Sequence, residues 1–251
     1  MIGKQYEYEA MAKCEKELWW YRCLHDLTLK KIKQAADKNA IILDAGCGTG
    51  GMLTHLQSQG FTNLTGFDLS SDAINYSIEK GCLNVQLLNI LDSDTAYPLN
   101  SFDVIISHDI LCLLNKGDDK VAFSKLVSLL KPGGMLMMNL PAGRFFKGTH
   151  DHAVGIRKRY SKKSIRDLTR NDSVEIREIR HWPFILSPLI FAVRLFQRCK
   201  LLFGGEKHYK SDVSLPHPLL NDLFYKITSF ENKTTRTKAW GSSIFVTLVK
   251  L

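Results

Sequence analysis

The run Ile41-Ile42-Leu43-Asp44-Ala45-Gly46-Cys47-Gly48-Thr49-Gly50-Gly51 constrains the fold more than any other stretch. Apolar residues of strand length pass into a glycine turn, and residues suited to a helix resume near Met52. Glycine tolerates positive φ and has no Cβ, so such a turn lets a ligand approach the backbone. Gly46, Gly48 and Gly51 also satisfy the dinucleotide pattern G-x-G-x-x-G. Charge separates the two cofactor classes that could use this turn. A pyrophosphate at a helix N-terminus is favoured by backbone N–H groups and disfavoured by a neighbouring carboxylate. Asp44 stands immediately before the glycines, which suits a cationic ligand, one carrying a sulfonium and an ammonium as S-adenosylmethionine does.

Downstream, the pattern repeats as strand, helix, strand. Met52 to Gln59 reads as a helix ending at Gly60, and Leu64-Thr65-Gly66-Phe67-Asp68 as a second strand. Asp68 lies some twenty residues past the glycines, where a carboxylate can accept from both hydroxyls of a ribose. Ser70 and Ser71 are N-cap residues for a helix over about 72–80 that stops at Gly81. A third strand, Val85 to Leu88, leads into Asn89-Ile90-Leu91-Asp92, and Asn89 is a candidate acceptor from an adenine amino group. Ser101 to Ser107 is a fourth strand, apolar enough to be buried on both faces, with His108 and Asp109 at its end. A helix over about 117–131, the stop Pro132-Gly133-Gly134 and a fifth strand, Met135 to Leu140, follow. This succession predicts an α/β fold of parallel βαβ units with right-handed crossovers.

The flanks are different in character. Residues 6–36 carry apolar positions at helical intervals, which predicts one or two helices, and Trp19-Trp20-Tyr21 places three adjacent rings that cannot all face one core. One ring of the three is therefore a candidate cover for the cofactor or acceptor pocket. Beyond Pro141, the segment 143–170 is strongly basic and contains His150, His152 and the run Arg157-Lys158-Arg159-Tyr160. A helix over 162–169 and a strand over 174–181 precede an apolar stretch, Trp182 to Phe203, with Arg194, Arg198 and Lys200 interspersed. That stretch reads as a lid helix packed on the sheet or as a basic amphipathic helix for peripheral membrane contact. A helix over 219–230 and a strand over 243–249 end the chain.

With 251 residues and a net charge of +9, the chain can bury a single core and leaves an acidic partner open, whether nucleic acid or an anionic membrane. Its cysteines form no C-x-x-C pair, so no metal site or disulfide framework is expected, and reduced thiols in the cytoplasm are. The polar Met1 to Glu7 carries no secretory pattern, and no apolar run is long enough to span a bilayer.

Taken together, Leu43-Asp44-Ala45-Gly46-Cys47-Gly48-Thr49-Gly50, Gly66-Phe67-Asp68-Leu69-Ser70, Pro98 to Val104 and Leu130-Lys131-Pro132-Gly133-Gly134 resemble class I S-adenosylmethionine-dependent methyltransferases over residues 40–141. The flanking Trp19-Trp20-Tyr21 and Arg157 to Ser161 are similar to a bacterial subgroup associated with glycan or lipid biosynthesis. The resemblance implies a Rossmann-like, mostly parallel seven-stranded sheet in the order 3-2-1-4-5-7-6, with strand 7 antiparallel and helices on both faces. It implies one domain over 1–251: a helical cap at 1–38, a cofactor core at 39–141, a basic acceptor or lid region at 142–235 and a final strand within 236–251. It sets Asp44, Ala45, Gly46, Cys47, Gly48 and Gly50 against the methionine and ribose parts of the cofactor. Asp68 and Leu69 then sit at the ribose, Asn89 and Ile90 at the adenine, and His108 near the methionine end. His108, Asp109, His150 and His152 are candidate bases and Tyr160 a candidate for orienting the acceptor, which is a small molecule, a glycan or a lipid-linked group. The alternatives are a nucleic-acid methyltransferase, a nicotinamide-dependent oxidoreductase and a non-catalytic S-adenosylmethionine-binding protein.

Overall fold

The computed structural model describes residues 5–202, 212–234 and 240–251. In chain order the helices are α1 (Gln5–Cys14), α2 (Trp19–Ala35), α3 (Gly51–Ser58), α4 (Ser71–Glu79), α5 (Ser93–Ala96), α6 (Asp118–Leu129), α7 (Thr149–Val154), α8 (Lys162–Thr169), α9 (Ser187–Leu202) and α10 (Pro218–Thr234). The strands are β1 (Ile42–Ala45), β2 (Leu64–Asp68), β3 (Val85–Leu87), β4 (Phe102–His108), β5 (Leu130–Pro141), β6 (Val174–Trp182) and β7 (Ser243–Lys250). They form one sheet in the order β3-β2-β1-β4-β5-β7-β6, in which β7 runs antiparallel to both of its neighbours. This is the expected topology.

Parallel register brings the carboxyl ends of the central strands level, with Ala45 beside Phe67, Asp68 beside Leu87 and His108 beside Asn139. Ligands of open α/β sheets sit outside those ends. A hydrophobic cluster on each face closes the sheet, one around Leu43, Ile105 and Phe123, the other around Ile42, Val104 and Phe245. The Ser70 hydroxyl accepts from the Ala73 N–H and so caps α4 as its sequence predicts.

The cap over the strand ends is assembled from both extremes of the chain. On α10, the Asn221 amide accepts from the Trp19 N–H at 2.9 Å and donates to the Glu17 carbonyl at 2.8 Å, so it satisfies the start of α2 from two hundred residues away. Glu231 of α10 in turn accepts from the Phe184 and Ile185 N–H groups between β6 and α9. Trp182 ends β6 rather than opening the following helix, and α9 begins only at Ser187, after the cis Trp182–Pro183 bond. The far end of the stretch anticipated up to Phe203, including the Lys200 side chain, lies outside the described residues.

Candidate active site

The glycine turn folds back on β2: the Gly46 and Cys47 N–H groups both donate to the Phe67 carbonyl at 2.8 Å. Gly46 has φ +84°, and a Cβ there would fall 2.2 Å from the Ile110 side chain, so no other residue fits. Asp68 at the end of β2 holds the turn, accepting from the Gly48 N–H at 3.0 Å and from the Ser70 N–H at 2.9 Å. Tyr8 of α1 reaches the same carboxylate from above, its hydroxyl 3.5 Å from Oδ1. Asp68 is buried, and burial raises its pKa against the pull of those backbone donors.

Asp44 is also buried, and desolvation with the neighbouring Asp68 and Glu15 charges pushes it up to about 8. Glu15, which follows α1, decides the cofactor class. Its Oε2 accepts from the Gly51 N–H at 3.1 Å at the start of α3, while Oε1 pairs with Lys80. The helix N-terminus that would cradle a pyrophosphate thus already carries a carboxylate, and a side chain at position 51 would meet it 2.2 Å away. Asp68 on the Gly48 N–H and Glu15 on the Gly51 N–H thus leave a pyrophosphate without free backbone donors, while the carboxyl groups of Asp44 and Asp68 remain as polar partners for a cofactor that carries a sulfonium and an ammonium.

A cavity of about 660 Å³ extends from this turn toward α7 and α9, within the roughly 300–1,000 Å³ range of small-molecule sites. Among the expected cofactor residues, Asp44, Gly46, Cys47, Gly48, Asp68 and His108 line it. Ala45, Gly50, Leu69, Asn89 and Ile90 do not. Ala45 and Ile90 are buried in the core, Leu69 is exposed, and Asn89 spends its side-chain oxygen on the Leu91 N–H, capping a short 3-10 turn over Ile90–Asp92. Gly50, at φ +82°, serves as N-cap of α3 and packs against Ser77 and Cys82.

Of the candidate catalytic residues, His108, Asp109 and His150 face the cavity. His108 lies 3.3 Å from the Thr28 hydroxyl, and desolvation pushes it down to about 3, so the imidazole is neutral. Asp109 takes the left-handed φ of +58° and is held on both sides by Asn139, whose amide donates to Oδ2 at 2.9 Å and whose carbonyl accepts from the Asp109 N–H at 2.7 Å. Burial pushes Asp109 up to about 7. The Trp182 indole donates to the Asn139 oxygen at 2.8 Å, and Trp20 stacks on Trp182 with centroids 5.5 Å apart. An aromatic pair therefore fixes Asn139, and through it Asp109. On α7, the His150 Nδ1 accepts from the Asp212 N–H at 3.2 Å, and Asp212 pairs with Arg194 of α9.

Two candidates are corrected. Tyr160 is buried away from the cavity, and its hydroxyl donates to Asp119 at 3.0 Å and sits 3.3 Å from the Leu111 carbonyl. It braces α6 against the sheet instead of orienting an acceptor. His152 is exposed on the outer side of α7. The basic run divides as well: Arg157 is exposed, Lys158 pairs with buried Asp119, and Arg159 makes a bidentate pair with buried Asp151 at 2.6 and 2.7 Å. Trp19, Trp20 and Tyr21 all border the cavity, as do Glu7, Tyr8 and Glu15 from or beside α1, which nothing in their local sequence singles out.

Residues 42–134 match the family described as a methyltransferase domain. The matched segment runs from β1 into β5 and contains the glycine turn, Asp68, His108 and Asp109. Phosphoethanolamine N-methyltransferase 1 of Zea mays is 34% identical over 101 residues, covering 39% of this chain and 20% of that protein. EEF1A lysine methyltransferase 2 of Danio rerio is 31% identical over 135 residues, covering 49% of this chain and 57% of that protein. The chain thus spans about a fifth of the maize relative's length and just over half of the zebrafish one's. In fold, a S-adenosylmethionine-dependent methyltransferase from Thermotoga maritima superposes with a TM-score of 0.59 at 14% identity, covering 98% of this chain and 96% of that one.

Proposed function

We propose that this protein transfers the methyl group of S-adenosylmethionine to a small-molecule acceptor, free or borne on a glycan or lipid, enclosed between the strand ends and the α1, α2, α9 cover. The observation that carries the reading is Glu15 on the N-terminus of α3, which occupies the N–H cradle that a dinucleotide pyrophosphate would need. The cofactor supplies a methyl carbon already activated by the adjacent sulfonium. Asp68 offers its remaining lone pairs to the ribose hydroxyls. Asp44 faces the ammonium. What remains for the protein is alignment and exclusion of water, and the cavity with its aromatic wall serves both.

Where the acceptor must lose a proton, Asp109 is better poised than His108. A base works best with a pKa near the operating pH, and Asp109 at about 7 meets that condition while His108 at about 3 does not. His108 and Thr28 then act as a neutral polar edge to the transfer site. The charged face suggested for membrane contact is partly consumed internally, since Arg194 turns inward to Asp212 and Arg198 lies over the Phe191 ring. Among the described residues no helix is long and apolar enough to cross a membrane.

Titration calorimetry with S-adenosylmethionine and with NAD tests the donor. Binding of the first and no heat from the second is expected, and the reverse overturns the reading. Incubation with labelled S-adenosylmethionine and fractionated cell extract tests the acceptor, with label expected in the small-molecule or lipid fraction.

A further inference from the structure

Glu7 has no role in the reading above. It lies on α1, is only 6% exposed, lines the cavity, and neither of its carboxylate oxygens has a hydrogen-bond partner among the described residues. A buried, unpartnered carboxylate is costly unless a ligand satisfies it. Its neighbours on the chain and in the cavity are otherwise committed. Tyr8, one residue on, is turned toward Asp68 on the donor side, whereas Glu7 is close enough for its charge to act on the Tyr21 phenol and the His150 imidazole, on the acceptor side. Among the described residues, the cations that reach the cavity are spoken for: Arg159 by Asp151, Arg194 by Asp212. Trp19, Tyr21 and Phe146 line the same space, and aromatic faces attract cations as a carboxylate does.

We propose that Glu7 is the specificity residue of the acceptor site and binds a cationic nitrogen, a protonated or alkylated amine, of the molecule to be methylated. The proposal rests on the methyltransferase reading for what happens next, but not for binding. Acceptors of this class carry an ammonium to set against Glu7 and an apolar part to fill the wall built by the rings. Glu7 and Tyr8 on one helix then read acceptor and donor respectively, so that ordering α1 over the strand ends completes both subsites.

The test uses n-octylammonium and 1-octanol as probes of equal chain length, titrated calorimetrically into the full chain with and without saturating S-adenosylhomocysteine. Wild type is expected to bind the ammonium about tenfold or more tightly than the alcohol. Glu7→Gln is expected to lose that difference while keeping its affinity for octanol and for S-adenosylhomocysteine. Equal binding of the two probes by wild type, or an unchanged preference in Glu7→Gln, overturns the proposal. So does a loss of S-adenosylhomocysteine affinity in a folded Glu7→Gln, which would put Glu7 on the donor side. The wild-type comparison decides even where the variant does not fold. Failure of wild type to bind S-adenosylhomocysteine refutes the donor assignment instead, and the comparison of wild type with Glu7→Gln in its absence still judges Glu7.

Discussion

Replacing Asp68 with alanine separates its two tasks, because they have different sizes and readouts. In the folded chain its carboxylate accepts from the Gly48 and Ser70 N–H groups, and Tyr8 stands 3.5 Å away. A carboxylate has about four acceptor positions, so room remains for a ribose diol. Asp68 is 5% exposed, and solvent screening takes little from such bonds. Hydrogen bonds to a charged group contribute about 1.5–3 kcal/mol, which predicts a loss of about 10- to 150-fold in S-adenosylmethionine affinity for Asp68→Ala. The second task is structural. Freed Gly48 and Ser70 N–H groups cost about 1–3 kcal/mol if they stay dry, and a chain of this size loses about 2–4 °C in Tm per kcal/mol. Asp68→Asn keeps one oxygen for the turn and should recover most of the Tm but only part of the affinity. Calorimetry and thermal unfolding measured on the same samples give both numbers. Unchanged affinity in a folded Asp68→Ala would refute the ribose assignment, and a Tm loss without an affinity loss would make Asp68 a turn residue only.

Asp44 has a folded-state pKa of about 8, far above its ordinary value of 3.8. The folded chain therefore keeps a proton that the unfolded chain releases, so this contribution to stability is full in acid, falls as pH rises toward 8 and is lost above it. Asp44→Asn should remove that part of the decline in denaturant titrations run across the window. Because a cationic cofactor favours the ionised carboxylate, binding below pH 8 should release a proton, seen as buffer-dependent heat that vanishes in Asp44→Asn. Arg159→Ala should destabilise the fold by about 3–5 kcal/mol by stranding Asp151, since both side chains are at most 8% exposed; a chemical denaturation midpoint near wild type would contradict this. For an acceptor that must be deprotonated, the rate in wild type should rise with pH through about 7 as Asp109 ionises, and Asp109→Asn should abolish that limb while S-adenosylmethionine still binds.

The glycine turn proposed to hold the donor was legible as a fold in the sequence because its geometry is local. A strand, a glycine turn and a helix fix one another within ten residues, and Asp68 follows one βα unit later, so spacing alone places it. Asn89 shows the limit of that logic. It stands at the right strand end, yet its oxygen caps the next turn, a bond its own neighbours provide. Tyr160 failed for the opposite reason, since Asp119, forty-one residues earlier, claims its hydroxyl. Glu7 and Glu15 are invisible locally, for both sit in charged stretches that read as solvated helix surface, and only the folding of α1 over the strand ends turns them inward.

The same contrast explains why the acceptor site resists reading from one segment. Asp109 owes its position to Asn139 on β5, Asn139 owes its orientation to Trp182 on β6, and Trp182 is covered by Trp20 of α2. Trp19, next to it, is held by Asn221 of α10. Each link is one or two hydrogen bonds or a ring contact between elements far apart in the chain, so no periodicity or spacing records it. The links converge, however, on one physical requirement: a polar group placed at a buried strand end needs a partner, and a partner there must come from whatever covers the sheet. The cover is therefore part of the acceptor site rather than a lid laid over a finished one. Changes in α2 or α10 should accordingly alter which acceptor is used while the glycine turn goes on binding the donor.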